Sequence, residues 1–279
     1  MIEKAYLEIT NICNLSCAFC HKTAREKRQM TMAEFECLTD RLVGEVKYLF
    51  FHLMGEPLLH PLLPQFVKRA REKGFLPAIT TNGTLLGTRG EALLQNPPYK
   101  ISISLHAPAA NAAFADAAYL DNCIAFGKKA AALGTIVAFR LWNIGGEGEG
   151  QNGAVLDALR AAFPAEWEKK WSGWRLAHKV FLEWGEEFDW PDMNAPAITA
   201  DTPIFCYALR NQVGVHVDGT VVPCCLDADG VLSLGNLHEE SLAEILATPR
   251  ARAIYDGFTD HRAAEALCRR CGYARRFKA

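Results

Sequence analysis

Three cysteines crowd the segment NICNLSCAFCHK (residues 11–22), at positions 13, 17 and 20. Thiolates this close suit a metal group, yet a structural zinc wants four ligands in a tetrahedron. A cubane iron-sulfur cluster held by three cysteines leaves one iron open to bind something else. The spacing therefore predicts a reactive cluster, against the plainer alternatives of a zinc site or buried thiols. A second set lies far along the chain. Cys206, Gly219 and Cys224 fit C-x12-G-x4-C, and Cys268 and Cys271 follow as C-x2-C. Four thiolates from a hairpin and a terminal loop close a complete four-cysteine site, for which an iron-sulfur cluster and a structural zinc are both chemically reasonable.

The rest of the chain sets the context for these thiols. With 279 residues, half of them hydrophobic and 22% charged, it can build a large core, and one main domain with a small appendage is expected. A formal charge of −2 gives no electrostatic case for nucleic acid. The N-terminus MIEKAYLEIT lacks the basic and apolar regions of an export signal, and no stretch reaches membrane-spanning length. A cytoplasmic location without membrane contact is the expectation. There, ten cysteines argue for metal ligands, catalytic thiols or core residues before disulfides.

Short β-like runs (residues 4–10, 48–54, 76–81, 100–105, 135–142 and 178–184) alternate with helix-like segments near 31–44, 61–74, 87–95, 117–134 and 153–170. Six such units predict an α/β fold with a parallel sheet and right-handed crossovers, curled into a partial (β/α)6 barrel or doubly wound. A barrel would carry its site at the C-terminal strand ends, and the cysteine cluster, MGEP (54–57), TTNG (80–83) and SLH (104–106) all follow strands. Beyond residue 196 the pattern changes. QVGVHVDGTVVPCC (212–225) reads as a hairpin about an Asp-Gly turn, and residues 238–258 as a helix capped by Ser241 with Glu244 three residues on. The boundary is placed in 189–203, giving units 1–195 and 196–279.

The first cysteine motif after a first strand, with Gly55-Glu56-Pro57 after the second, resembles the radical SAM enzymes. That resemblance implies a 4Fe-4S cluster on Cys13, Cys17 and Cys20, whose open iron binds S-adenosylmethionine (SAM), and a 5′-deoxyadenosyl radical that abstracts hydrogen. It places Phe19 at the adenine, and Gly55, Glu56 and Pro57 at the methionine amino group. Asn82 and Ser104 fall at the ribose or carboxylate, and Arg140 is a candidate cation for that carboxylate. An electron donor of the flavodoxin or ferredoxin type is implied. The later cysteines resemble the auxiliary-cluster subdomain called twitch, a shortened SPASM extension, implying a second 4Fe-4S cluster on Cys206, Cys224, Cys268 and Cys271. A fully ligated cluster there suits net oxidation or bond formation. Cys225 and Asp227, just after Cys224, are candidate acid/base residues, although a core thiol is the preferred reading of Cys225. Cys37 and Cys123 are expected in the core.

Weaker signals add little. GGEGEGQNG (145–153) lacks G-K-[ST], so it predicts a loop over the barrel mouth and no nucleotide P-loop. Trp167, Trp171 and Trp174 stand near helical spacing, which predicts core packing, with a substrate wall as the alternative. His52 and His106 are expected in the pocket. On family breadth, peptide or protein modification is the leading function. Small-molecule alcohol dehydrogenation of the aminocyclitol type follows closely, and a non-catalytic iron-sulfur or zinc binding protein is a third reading.

Overall fold

The computed structural model describes residues 2–111, 114, 116–146, 148–199 and 202–277. The six anticipated parallel strands are β1 (Lys4–Leu7), β2 (Tyr48–Phe50), β3 (Leu76–Thr81), β4 (Lys100–Ser104), β5 (Ile136–Ile144) and, after two strands described below, β8 (Val180–Glu186). Helices α1 (Met32–Asp40), α2 (Leu63–Glu72), α3 (Leu86–Leu94), α4 (Tyr119–Ala132) and α5 (Asn152–Ala162) fill the connections. Strands β1 to β5 and then β8 pair in that order, all parallel, in a curled sheet that does not close into a barrel.

Residue alternation explains the two sides of this sheet. Ile101 and Ile103, and Val137, Phe139 and Leu141, are buried in the core shared with the helices. Tyr6, Phe50, Arg140 and Trp142, from intervening positions, line a cavity on the concave side. That lumen carries polar and aromatic groups where the convex side is apolar throughout.

Two features depart from the sequence reading. The predicted helix over 153–170 stops at Ala162, ahead of Pro164. The chain then forms β6 (Glu168–Lys170) and β7 (Gly173–Ala177), an antiparallel extension along β8. The tryptophans in it do not share a helix face. Trp171 is fully exposed at the turn, whereas Trp174 packs edge-on against Trp184 at 5.8 Å between ring centroids. Secondly, the C-terminal hairpin, β9 (Gln212–Val215) and β10 (Thr220–Val222), joins the main sheet. Strand β9 pairs parallel with β1, and β11 (Gly235–Asn236) caps the edge. The edge of β1 would otherwise present open backbone groups. The Asp218-Gly219 turn stands as predicted. Gly219 has φ +86°, and a Cβ there would lie 2.6 Å from the Asn236 side chain.

The predicted helix 238–258 is two helices, α6 (Leu242–Ala247) and α7 (Pro249–Thr259), divided where Thr248 caps the second and Pro249 opens it. The expected Ser241–Glu244 capping box is present. One apolar core runs from Ile2 to Ala274 and spans both predicted units. Cys123 is buried in it, but Cys37 lies on an exposed face of α1 with its sulfur 3.6 Å from His238 Nδ1. Among the described residues no helix is long and apolar enough to cross a membrane.

Candidate functional site

The loop after β1 is pinched at its neck. Met30 N donates to Ile9 O (2.9 Å) and Asn11 N to Arg28 O (3.3 Å). The Asn11 side chain sutures the neck by donating to Glu26 O and accepting from Arg28 N, each at 2.8 Å. Cys13, Cys17 and Cys20 occupy the loop as free thiols. Donors point at two of the sulfurs: Leu15 N at Cys13 (3.4 Å) and the Asn111 amide at Cys17 (3.1 Å). Burial pushes all three thiols up, Cys13 to about 11, and Cys13 is raised further by Glu56 and by the other two cysteines. Mutually repelling thiols supplied with N–H donors suit a cationic iron-sulfur group.

The other predicted residues gather around this loop. Gly55 has φ +78°, and a Cβ there would collide with the Thr10 carbonyl oxygen, so glycine lets the second strand's loop meet the cluster loop. Glu56 N then donates to Ile12 O (2.9 Å). The Glu56 carboxylate is buried at 2% exposure and accepts from Leu58 N (2.9 Å), Thr81 Oγ1 (2.8 Å) and Asn82 N (2.7 Å). Burial outweighs these three donors and pushes it up to about 6. Pro57 opens the short turn that Glu56 caps. Asn82 holds the cluster loop by donating to Asn14 Oδ1 (3.0 Å), with its amide 3.9 Å from the Cys13 sulfur. Phe19 packs against His106 at 5.1 Å, and burial pushes His106 down to about 4. Ser104 closes β4, where its carbonyl accepts from Tyr119 Oη (3.3 Å). Arg140 turns into the lumen, where Nε donates to Glu183 Oε2 (2.8 Å) and the guanidinium stacks over Trp142. In the glycine-rich loop, residue 147 lies outside the described residues; Glu149 accepts from Gly145 N (2.8 Å) as the chain enters α5.

Cys206, Cys224 and the Cys268–Cys271 pair come from three separate places in the chain and line one cavity of about 150 Å3, together with Cys225. Burial raises each thiol, Cys206 to about 11, and neighbouring thiols raise one another: Cys271 acts on Cys206, and Cys206 on both Cys224 and Cys268. Four thiols around one cavity are a ligand set that an iron-sulfur cluster or a zinc ion takes. Cys225 is raised to about 12 by burial. Asp227 holds its own loop, with Oδ1 accepting from Val231 N (3.0 Å) and Oδ2 from Leu232 N (2.8 Å).

Several residues that the sequence reading passed over join the two cysteine sets. Glu8 is fully buried at the end of β1 and takes both carboxylate oxygens to Arg25 (2.8 and 2.7 Å). It also accepts from Met54 N and Val217 N. Arg25 Nε reaches Ala228 O (2.8 Å), while Thr23 Oγ1 and Ala24 N donate to Asp229 Oδ1. The first-cluster loop is thus fastened to the loop beyond Cys224 and Cys225. A lone carboxylate in the apolar run YLEIT was the available signal for Glu8; Asn111 had none. Arg25→Ala is expected to lower the unfolding free energy by about 3–5 kcal/mol, because it strands a buried carboxylate. Urea unfolding measures this, and a loss under about 1 kcal/mol would mean the pair acts as an exposed one.

A curled parallel sheet, three free thiols in the loop after its first strand and Gly-Glu-Pro after its second define a cluster-binding radical enzyme of the SAM-dependent class. The family comparison agrees: the radical SAM superfamily model matches residues 7–151, more than half of the chain, and the SPASM iron-sulfur cluster-binding domain matches 206–272. The chain belongs to the radical SAM superfamily. Membership brings a 4Fe-4S cluster and SAM, and the SPASM match brings further iron-sulfur binding.

Among curated proteins, the tungsten-containing aldehyde ferredoxin oxidoreductase cofactor-modifying protein of Pyrococcus furiosus is 37% identical over 86 residues, 29% of this chain and 24% of that protein. GTP 3′,8-cyclase of Chlorobaculum tepidum is 31% identical over 108 residues, 37% of this chain and 33% of that protein. The chain therefore matches about a quarter to a third of these relatives' length. Among solved structures, BtrN in complex with AdoMet and 2-DOIA superposes with a TM-score of 0.61 at 20% identity, covering 97% of this chain and 93% of BtrN. Streptococcus suis SuiB bound to its precursor peptide SuiA gives 0.61 at 16%, covering 98% and 70%. At these identities the likeness is one of fold.

Proposed function

We propose that the chain is a SAM-dependent radical oxidoreductase that modifies a peptide or protein side chain. When bound, its cofactors supply a 5′-deoxyadenosyl radical that takes hydrogen from the substrate and an acceptor for the electron the substrate radical gives up. Cys13, Cys17 and Cys20 hold the first cluster, and Cys206, Cys224, Cys268 and Cys271 the second. Phe19 stands at the adenine, with Asn82 and Ser104 near the ribose or carboxylate. Glu56, with Gly55 and Pro57, receives the methionine ammonium, whose charge offsets the burial that works against the carboxylate. Arg140, already paired with Glu183 and facing the lumen, serves the substrate compartment in this reading and not the SAM carboxylate. Cys225 faces the same compartment and is the better placed of the two acid/base candidates, since backbone amides occupy both Asp227 oxygens. Residues 1–195 form the radical unit and 196–279 the auxiliary-cluster unit, with a flavodoxin or ferredoxin as electron donor.

One observation carries this reading. An outer groove of about 570 Å3 runs beside Phe19 and Cys20, and Phe188 lines both it and the inner cavity that holds the other four thiols. The groove presents Asp189 and Asp192 against Arg270 and Arg275, which suits a peptide main chain with one side chain directed inward. The small inner cavity favours a second reading, oxidation of a small hydroxylated molecule. Anaerobically reconstituted protein with SAM and reductant is expected to form 5′-deoxyadenosine faster when given the peptide fraction of the source cell. Stimulation by the small-metabolite fraction alone would replace the first reading by the second.

A further inference from the structure

A chain of polar contacts crosses the lumen and ends on an unpaired group. Lys100 Nζ and Arg140 Nε donate to the two oxygens of Glu183 (2.7 and 2.8 Å). Burial opposes the Glu183 charge, but Arg140 and Lys100 outweigh it and hold the carboxyl below its usual range. Arg140 Nη1 then donates to Thr80 Oγ1 (3.4 Å), and Thr80 Oγ1 lies 3.3 Å from His52 Nε2.

We assign the tautomer from these partners: a guanidinium only donates, so Thr80 accepts from Arg140, and its own hydroxyl proton is placed on the contact to Nε2. Burial, reinforced by the positive charges of Arg140 and Lys100, pushes His52 down to about 3, so the ring is neutral and its one proton sits on Nδ1. His52 Nδ1 is buried and has no hydrogen-bond partner. Its ring stands edge-on to Tyr6 (5.3 Å) and Phe50 (5.8 Å), and all three line the inner cavity with Arg140 and Trp142.

We propose that the His52 Nδ1–H is a substrate-binding donor that takes an acceptor oxygen on a neutral or anionic group of the substrate. A buried donor left unmade is costly, and a substrate oxygen would repay that cost on binding. The donor itself selects the class: it takes a carboxylate, carbonyl or hydroxyl oxygen, whereas an ammonium has no lone pair to offer. This rests on reading the lumen as the substrate compartment, but its test requires no SAM turnover, so either can fail without the other.

The test is calorimetric titration of the reconstituted protein with benzoate and with benzylamine, probes that share a ring and differ in charge. The parent is expected to bind benzoate more tightly than benzylamine. His52→Phe, which removes the donor, is expected to weaken benzoate binding by roughly ten- to hundred-fold. His52→Asn, which keeps an amide donor near the Nδ1 position, is expected to stay within about threefold of the parent. Equal benzoate affinity in His52→Phe, no benzoate binding to the parent, or benzylamine binding as tightly as benzoate would each overturn the proposal. If His52→Phe does not fold, the comparison of the two probes on the parent decides.

Discussion

Cys17→Ala is expected to abolish 5′-deoxyadenosine formation and to reduce the iron of the reconstituted protein from about eight to about four atoms per chain. Cys17 is the buried member of the first set and accepts from the Asn111 amide. Two remaining thiols cannot hold a cubane cluster with a single open iron, and without that iron SAM has no anchor. The rest of the loop keeps its shape, because the Asn11 sutures and the Arg25–Glu8 pair do not pass through Cys17. Unchanged SAM cleavage in a folded Cys17→Ala protein would remove the three-cysteine cluster from the account.

The second large effect is a separation of two activities. Cys268→Ala is expected to retain part of the 5′-deoxyadenosine formation while suppressing oxidised product, because it opens the four-thiol site and leaves the first loop untouched. The backbone around Cys268 is tethered independently of any cluster. Ile198 N donates to Arg269 O (2.9 Å), Gly272 N to Asp189 O (3.1 Å) and Arg270 Nε to Ala195 O (3.0 Å). Loss of the cluster is therefore separable from loss of the fold. Product and 5′-deoxyadenosine measured in the same reaction decide the matter, and an unchanged ratio between them would end the electron-acceptor role.

Much of this was legible in the sequence because the strands alternate and the chemistry sits at their ends. The six parallel strands, the Asp218-Gly219 hairpin and the Ser241–Glu244 cap all follow from local rules. The errors also have local causes. Trp167, Trp171 and Trp174 mimic helical spacing, while Pro164 and the Ser172-Gly173 pair, which mark the helix end and the turn, carried the better signal. Pro249 likewise marks the division between α6 and α7. That β9 would lie beside β1 was not legible, since pairing of strands some two hundred residues apart leaves no trace in a single sequence. The same holds for Asn111 beside Cys17 and for Arg25 reaching both Glu8 and Ala228. His52 could be placed near the pocket from its strand end, but its unpaired nitrogen depends on Thr80 and Arg140 from two other strands.

The central claim is that one chain carries an open, SAM-binding cluster on Cys13, Cys17 and Cys20 and a closed one on Cys206, Cys224, Cys268 and Cys271. Low-temperature electron paramagnetic resonance of the reduced protein, recorded with and without SAM, tests it most directly when the parent is compared with Cys17→Ala and Cys268→Ala. The account predicts two signals in the parent: one altered by SAM and absent from Cys17→Ala, the other indifferent to SAM and absent from Cys268→Ala. A single signal, or a SAM response that survives in Cys17→Ala, would contradict it.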